Sequence, residues 1–210
     1  MDMENNMTDT VFWDKVAPKY ATDPISDMPA YEETLGRMRA HLQPDHAVLE
    51  IGCGTGSTAL ELAAGVNSYL GTDISPQMIR IARTKLTRDA PGDLAFDVAT
   101  AGHPPEGHYD AVLALNLLHL VPDMDEVLRS VYRLLPKGGL FIAKTALLKD
   151  GNRLVPLVIP LMRLLGKAPS VLSLSRHMVE RQLRAAGFVE VETIRQPGLV
   201  PRLFTVYRKP

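Results

Sequence analysis

The strongest constraint in this chain is the stretch Val48 to Ala59, VLEIGCGTGSTA. Ala47 to Ile51 is apolar apart from Glu50 and reads as a short strand. Gly52, Gly54 and Gly56 follow at alternate positions, and Ser57 opens what reads as a helix. A strand that breaks into glycines and then into a helix brings bare backbone up to a ligand: no side chain holds the ligand away, and the helix start adds free N–H groups and a positive dipole end. Glu50 needs either solvent or a polar partner, because an unpaired buried carboxylate is costly. The spacing is G-x-G-x-G, with Ser57 where the dinucleotide fingerprint places its last glycine. The loop therefore announces a ligand without naming it.

A chain of 210 residues suits one α/β domain, here 1–210, and a hydrophobic fraction of 46% is ordinary for a globular protein. The net charge of −1 supplies no basic field for nucleic acid. Cys53 is the one cysteine, which excludes an internal disulfide, and no Cys/His cluster stands at metal spacing. Small size among glycines explains Cys53 better than nucleophilic chemistry does. The opening MDMENNMTDT is polar and acidic, unlike a signal peptide, and no apolar run reaches the length of a membrane span, so the expectation is a cytoplasmic protein.

Residues 1–44 read as a helical cap before the first strand. Thr10 to Tyr20 carries Phe12, Trp13, Val16 and Tyr20, with Pro18 expected to interrupt any long helix. Asp27 and Pro29 mark a second helix start, with Tyr31, Leu35, Met38 and Leu42 on one face. After the glycine turn come a short helix, Ser57 to Ala64, and a second strand, Ser68 to Thr72, ending at Asp73. An acid at that tip suits ribose hydroxyls; its other reading is a helix cap, although Ser75-Pro76 is the better cap pair. Leu94 to Val98 reads as the third strand, with Asp97 placed either for an adenine amino group or for a plain Asx turn. Tyr109 to Leu115 is an apolar, central strand whose end puts Asn116 and His119 at the crevice. A helix from Asp123 to Leu135 and a strand from Leu140 to Ala146 follow.

The stretch Arg153 to Leu174, inside a lid-like insertion at 149–175, breaks the alternation. It is very apolar, with prolines at 156, 160 and 169 and only basic charges. It reads as an extra helix on the domain, as the wall of an apolar substrate pocket, or as a surface for transient membrane contact. Ser175 caps a helix that stops at Gly187; Phe188 to Arg195 and Arg202 to Arg208 then form an antiparallel pair. The fold class is thus α/β: a Rossmann-like, mostly parallel seven-stranded sheet with helices on both faces and a C-terminal antiparallel hairpin.

Together these segments resemble the class I S-adenosylmethionine-dependent methyltransferases, in the small-molecule branch that includes the quinone-biosynthesis methyltransferases. The resemblance rests on VLEIGCGTGSTA, Asp73, Asp97 with Val98, YDAVLALNLLHLV, LRSVYRLLPKGGLFIA and the leading FWDKVAPKY, in that family's order. It implies that Gly52, Cys53, Gly54 and Gly56 cradle the methionine part of S-adenosylmethionine, with Glu50 toward its amino group. It implies further that Asp73 holds the ribose, Ile74 and Met78 meet the adenine, and Asp97 and Val98 frame its edge. Asn116 and Leu117 would hold the amine and Tyr20 would close over the carboxylate end. The implied reaction is in-line methyl transfer to a small hydrophobic or amphiphilic acceptor, leaving S-adenosylhomocysteine. Such a reaction asks mainly for orientation, worth about 7–11 kcal/mol. His119 is the candidate base, with Tyr31 and His177 behind it, and Phe12, Trp13 and Tyr20 can face the sulfonium. The alternatives are a nicotinamide-dependent oxidoreductase and a non-catalytic cofactor-binding regulator. Nucleic-acid methylation is disfavoured, because Asn116-Leu-Leu-His stands where its Pro-Pro-aromatic motif would be.

Overall fold

A computed structural model describes residues 2–86, 93–152 and 168–210. Two helices lead: α1 (Asp2–Thr22) and α2 (Met28–His41). Alternating strands and helices follow: β1 (Ala47–Ile51), α3 (Ser57–Leu62), β2 (Ser68–Asp73), α4 (Pro76–Thr84), β3 (Asp93–Val98), β4 (Ala111–Leu115), α5 (Met124–Leu134) and β5 (Leu140–Ala146). The chain closes with α6 (Arg176–Ala185), β6 (Val189–Gln196) and β7 (Arg202–Arg208).

The seven strands form one sheet in the order β3-β2-β1-β4-β5-β7-β6. The first five are parallel, and β7 runs antiparallel between β5 and β6. The expected Rossmann-like sheet and closing antiparallel strands are therefore present, with the last strand inserted inside the pair rather than added outside it. Side-chain alternation divides the core. Leu49, Ile51, Val112 and Ala114 face α5 and α6, whereas Val48, Ala111, Leu113 and Ile142 face α2, α3 and α4. The expected caps hold the helix starts: Asp27 accepts from Ala30 N, Ser75 from Met78 N and Asp123 from Glu126 N.

One expectation fails. Pro18 does not interrupt the first helix, which runs through it to Thr22. Pro18 removes one backbone donor near the C-terminal end, and tertiary anchoring compensates: Asp14 Oδ1 accepts from Ser75 Oγ at 2.6 Å and Gln77 N at 3.0 Å, tying α1 to the start of α4. The third helix is also shorter than expected, six residues before a 3-10 turn at Ala63–Gly65. Most of the apolar segment, residues 153–167, lies outside the described residues, so its three readings are untouched.

Candidate active site

Where β1, β2, β4 and β5 end, a cavity of about 860 Å³ opens. That is roomy for a single small molecule, since sites for drug-sized ligands span roughly 300–1,000 Å³. Its lining includes Gly52, Gly54, Asp73, Ile74, Met78 and Asn116 at the strand ends. It also includes the apolar side chains of Leu117, Leu120, Val121, Ala146, Leu148 and Val171, together with His119 and Arg202. Trp13 and Tyr20 of α1 complete the wall.

The glycine loop explains its own composition. Gly52, Gly54 and Gly56 all have positive φ (70°, 55° and 76°). A side chain on Gly52 would strike Leu117 at 2.7 Å, and one on Gly56 the Phe96 ring at 2.5 Å. Gly54 alone of the three has room for a Cβ, which would stand in ordinary contact with the Tyr20 ring at 3.6 Å. Gly52 and Gly54 therefore line the cavity, while Gly56 is a packing glycine against the sheet edge.

Asp73 shapes the loop and keeps capacity for a ligand. Its Oδ2 accepts from Gly54 N and its Oδ1 from Ser75 N, both at 2.9 Å. Burial raises its proton affinity, and those two donors offset only part of that rise. Each carboxylate oxygen has a further lone pair, so a vicinal diol can still donate to both. Asn116 has φ 55°, the one non-glycine residue among those described with positive φ. A strained residue at a strand tip is a mark of a functional turn.

Other expected residues fall elsewhere. Glu50 is buried behind the loop and does not line the cavity. Strand alternation turns it toward α2, where Tyr69 OH donates to its Oε2 at 2.9 Å, and burial lifts its carboxyl from 4.5 to about 7. Cys53 is buried too, its thiol pushed up by burial and then by the Glu50 charge, which makes it a packing residue. Asp97 and Val98 stand outside the cavity. β3 pairs through Asp73↔Val98 and Ala99 N donates to Asp73 O, so the rim begins at Ala99, and Ala99 to His103 form the wall there. Asp97 instead accepts from Arg83 and from Val98 N. Phe12 lies outside the main cavity, edge-on to Trp13. Tyr31 and His177 do not line it either.

His119 does line the cavity, and its Nδ1 is buried with no hydrogen-bond partner among the described residues. Burial, then the Arg202 charge, holds its imidazole down at about 4. A neutral ring of such low basicity suits hydrogen bonding better than proton removal at neutral pH. Asp14, Arg202 and the Thr100–His103 part of the wall were missed from the sequence. Arg202 had one signal, a cation at the start of a strand whose centre is mostly apolar.

Residues 49–141 match the family model described as a methyltransferase domain. That stretch of the chain therefore holds a methyltransferase domain. Among curated relatives, the chain is 31% identical to methyltransferase GfsG of Streptomyces halstedii over 147 residues, 66% of this chain and 53% of that one. It is 39% identical to the magnesium-protoporphyrin O-methyltransferase of Rhodobacter capsulatus over 83 residues, 39% of this chain and 37% of that one. The chain thus spans about half, or less, of these curated relatives. Its fold matches the magnesium protoporphyrin IX methyltransferase ChlM of Synechocystis, solved with S-adenosylhomocysteine bound, with TM-score 0.71, 18% identity and 98% of each chain covered. Nothing in these matches favours the nicotinamide alternative. The residues of the cavity fit S-adenosylmethionine: glycine backbone on the lining at Gly52 and Gly54, a carboxylate with free lone pairs at Asp73, and apolar Ile74 and Met78 on the same lining.

Proposed function

We propose that this chain transfers a methyl group from S-adenosylmethionine to a small, apolar or amphiphilic acceptor held against the apolar part of the cavity lining. The observation that carries the reading is one cavity whose lining joins the glycine loop and Asp73 to a set of apolar side chains, Leu117, Leu120, Val121, Leu148 and Val171. When bound, the cofactor supplies an electrophilic methyl on a sulfonium. The chain's own residues orient and exclude water. Gly52 and Gly54 leave room for the methionine end, Asp73 accepts from the ribose hydroxyls, and Ile74 and Met78 pack on the adenine. Asn116 and Leu117 turn backbone toward the amine, and Tyr20 and Trp13 bring ring faces over the site. Leu117, Leu120, Val121 and Leu148 keep the acceptor dry, which strengthens its few polar contacts. His119 hydrogen-bonds the acceptor from within that apolar wall.

Thermal melting with S-adenosylmethionine, S-adenosylhomocysteine and NADH tests the reading. A ligand at a hundred times its dissociation constant adds about 2.7 kcal/mol. The first two should raise Tm by several degrees and NADH should not; a rise with NADH alone sinks the proposal. The same reading puts the reaction in the cytoplasm, where a lone buried Cys53 needs no oxidised partner. Fractionation of cells carrying the tagged protein checks that assignment. Among the described residues no helix is long and apolar enough to cross a membrane.

A further inference from the structure

The cavity lining holds one arginine, Arg202, that has no counter-ion among the described residues. Arg202 opens β7, and because β7 runs antiparallel to β5, this first residue pairs with Ala146 at the rim where the parallel strands end. Among the described residues Arg202 makes no ion pair. The acids that line the same cavity are engaged elsewhere. Asp9 accepts from Ser170 N at 3.2 Å, Asp73 from Gly54 and Ser75, and Asp123 caps α5, while Glu126 stands 3.8 Å from His103. The sequence from Arg153 to Lys167 contains no Asp or Glu that could serve instead. Beside Arg202 the imidazole of His119 keeps a buried nitrogen with no partner. Leu172 N donates to the His119 carbonyl at 2.7 Å, which fixes its backbone. Arg202 is exposed at the cavity rim, and the half-buried His119 ring lines the same cavity among apolar side chains; the two together make a receptor for an anion on an apolar body.

We infer that the acceptor is an apolar molecule with one acidic oxygen, bound as the anion, with Arg202 as its counter-ion and His119 as its second hydrogen-bonding partner. This rests on the methyl-transfer reading for the reaction, though not for the binding. The ionised group, carboxylate or phenolate, has already lost its proton to solvent. A lone pair on its oxygen forms the new bond to the methyl carbon while the carbon–sulfur bond breaks and its electrons stay on sulfur. No base is then needed, which accords with a histidine of low basicity at this position.

Calorimetric titration of the full chain, with and without saturating S-adenosylhomocysteine, tests the inference. The probes are 4-butylbenzoate, 4-butyl-2-nitrophenol above its pKa, and neutral 4-butylbenzamide. At least one anion should bind tenfold or more tightly than the amide, and which one does so distinguishes carboxylate from phenolate. Arg202→Gln should erase that margin and leave amide binding unchanged; Arg202→Lys should keep part of it. Equal binding of anions and amide to the unaltered protein overturns the inference, as does an equal loss of all three in Arg202→Gln, or no anion binding at millimolar concentration. Retention of the S-adenosylhomocysteine melting shift in Arg202→Gln shows that the variant is folded. If that shift is absent from the unaltered protein while anion discrimination persists, the methyl-transfer reading falls and the anion site stands.

Discussion

Single residues in this chain carry costs that can be measured separately. Gly56 has a positive φ and no room beside Phe96, so Gly56→Ala should lower stability by about 2–4 kcal/mol in urea unfolding. Gly36, inside α2 with open space around it, is the contrasting position: Gly36→Ala should gain about 0.5–1 kcal/mol. Glu50 gives a pH signature. Its folded-state carboxyl titrates at about 7 and its unfolded one near 4.5, so the folded state holds the proton more tightly. Stability from this group is fully present below pH 4.5 and is lost as the pH rises through 7, by about 3 kcal/mol. Glu50→Gln keeps an acceptor for Tyr69 OH and should flatten that part of the profile, making the variant the more stable protein at pH 8. In the site, His119→Ala should lower kcat/KM by about tenfold, mainly through KM, if the imidazole holds the acceptor rather than removing a proton. The sequence could show that Glu50 needed a partner. It could not show that the partner was Tyr69, because that contact joins neighbouring strands 19 residues apart.

Elements were legible wherever their signals were local. The caps at Asp27, Ser75 and Asp123 and the stop at Gly187 each depend on a few adjacent residues, and each appears where its pattern placed it. Pro18 misled because the force that carries α1 past it is the distant Asp14 contact with α4. Asp97 lies off the cavity lining because the rim is set by pairing with β2, which no strand shows by itself. The Asp14 contact also carries a prediction. Trp13 and Tyr20 reach the cavity from α1, so Asp14→Ala should raise the dissociation constant for S-adenosylhomocysteine about tenfold and speed hydrogen exchange in α1, with little change in the exchange of β1 and β4.

At the scale of the molecule, two apolar layers share one sheet, while α1 joins it largely through polar contacts around Ser75. The one tryptophan, Trp13, lies on that helix. Without ligand, its fluorescence should change at lower urea than the far-ultraviolet circular dichroism does; with saturating S-adenosylhomocysteine the two transitions should coincide. The reversed direction of β7 has a practical consequence as well. Its first residue stands on the cavity rim, so its last, Arg208, pairs with Leu140 at the opposite edge, where Lys209 holds the carbonyls of Tyr132 and Leu135. Anything joined after residue 210, whether an affinity tag, a surface linker or a neighbouring domain, leaves from the far side of the sheet, and the mouth stays open to solvent. A protein immobilised by that end would present its cavity outward, whereas attachment ahead of α1 would load the helix that walls it.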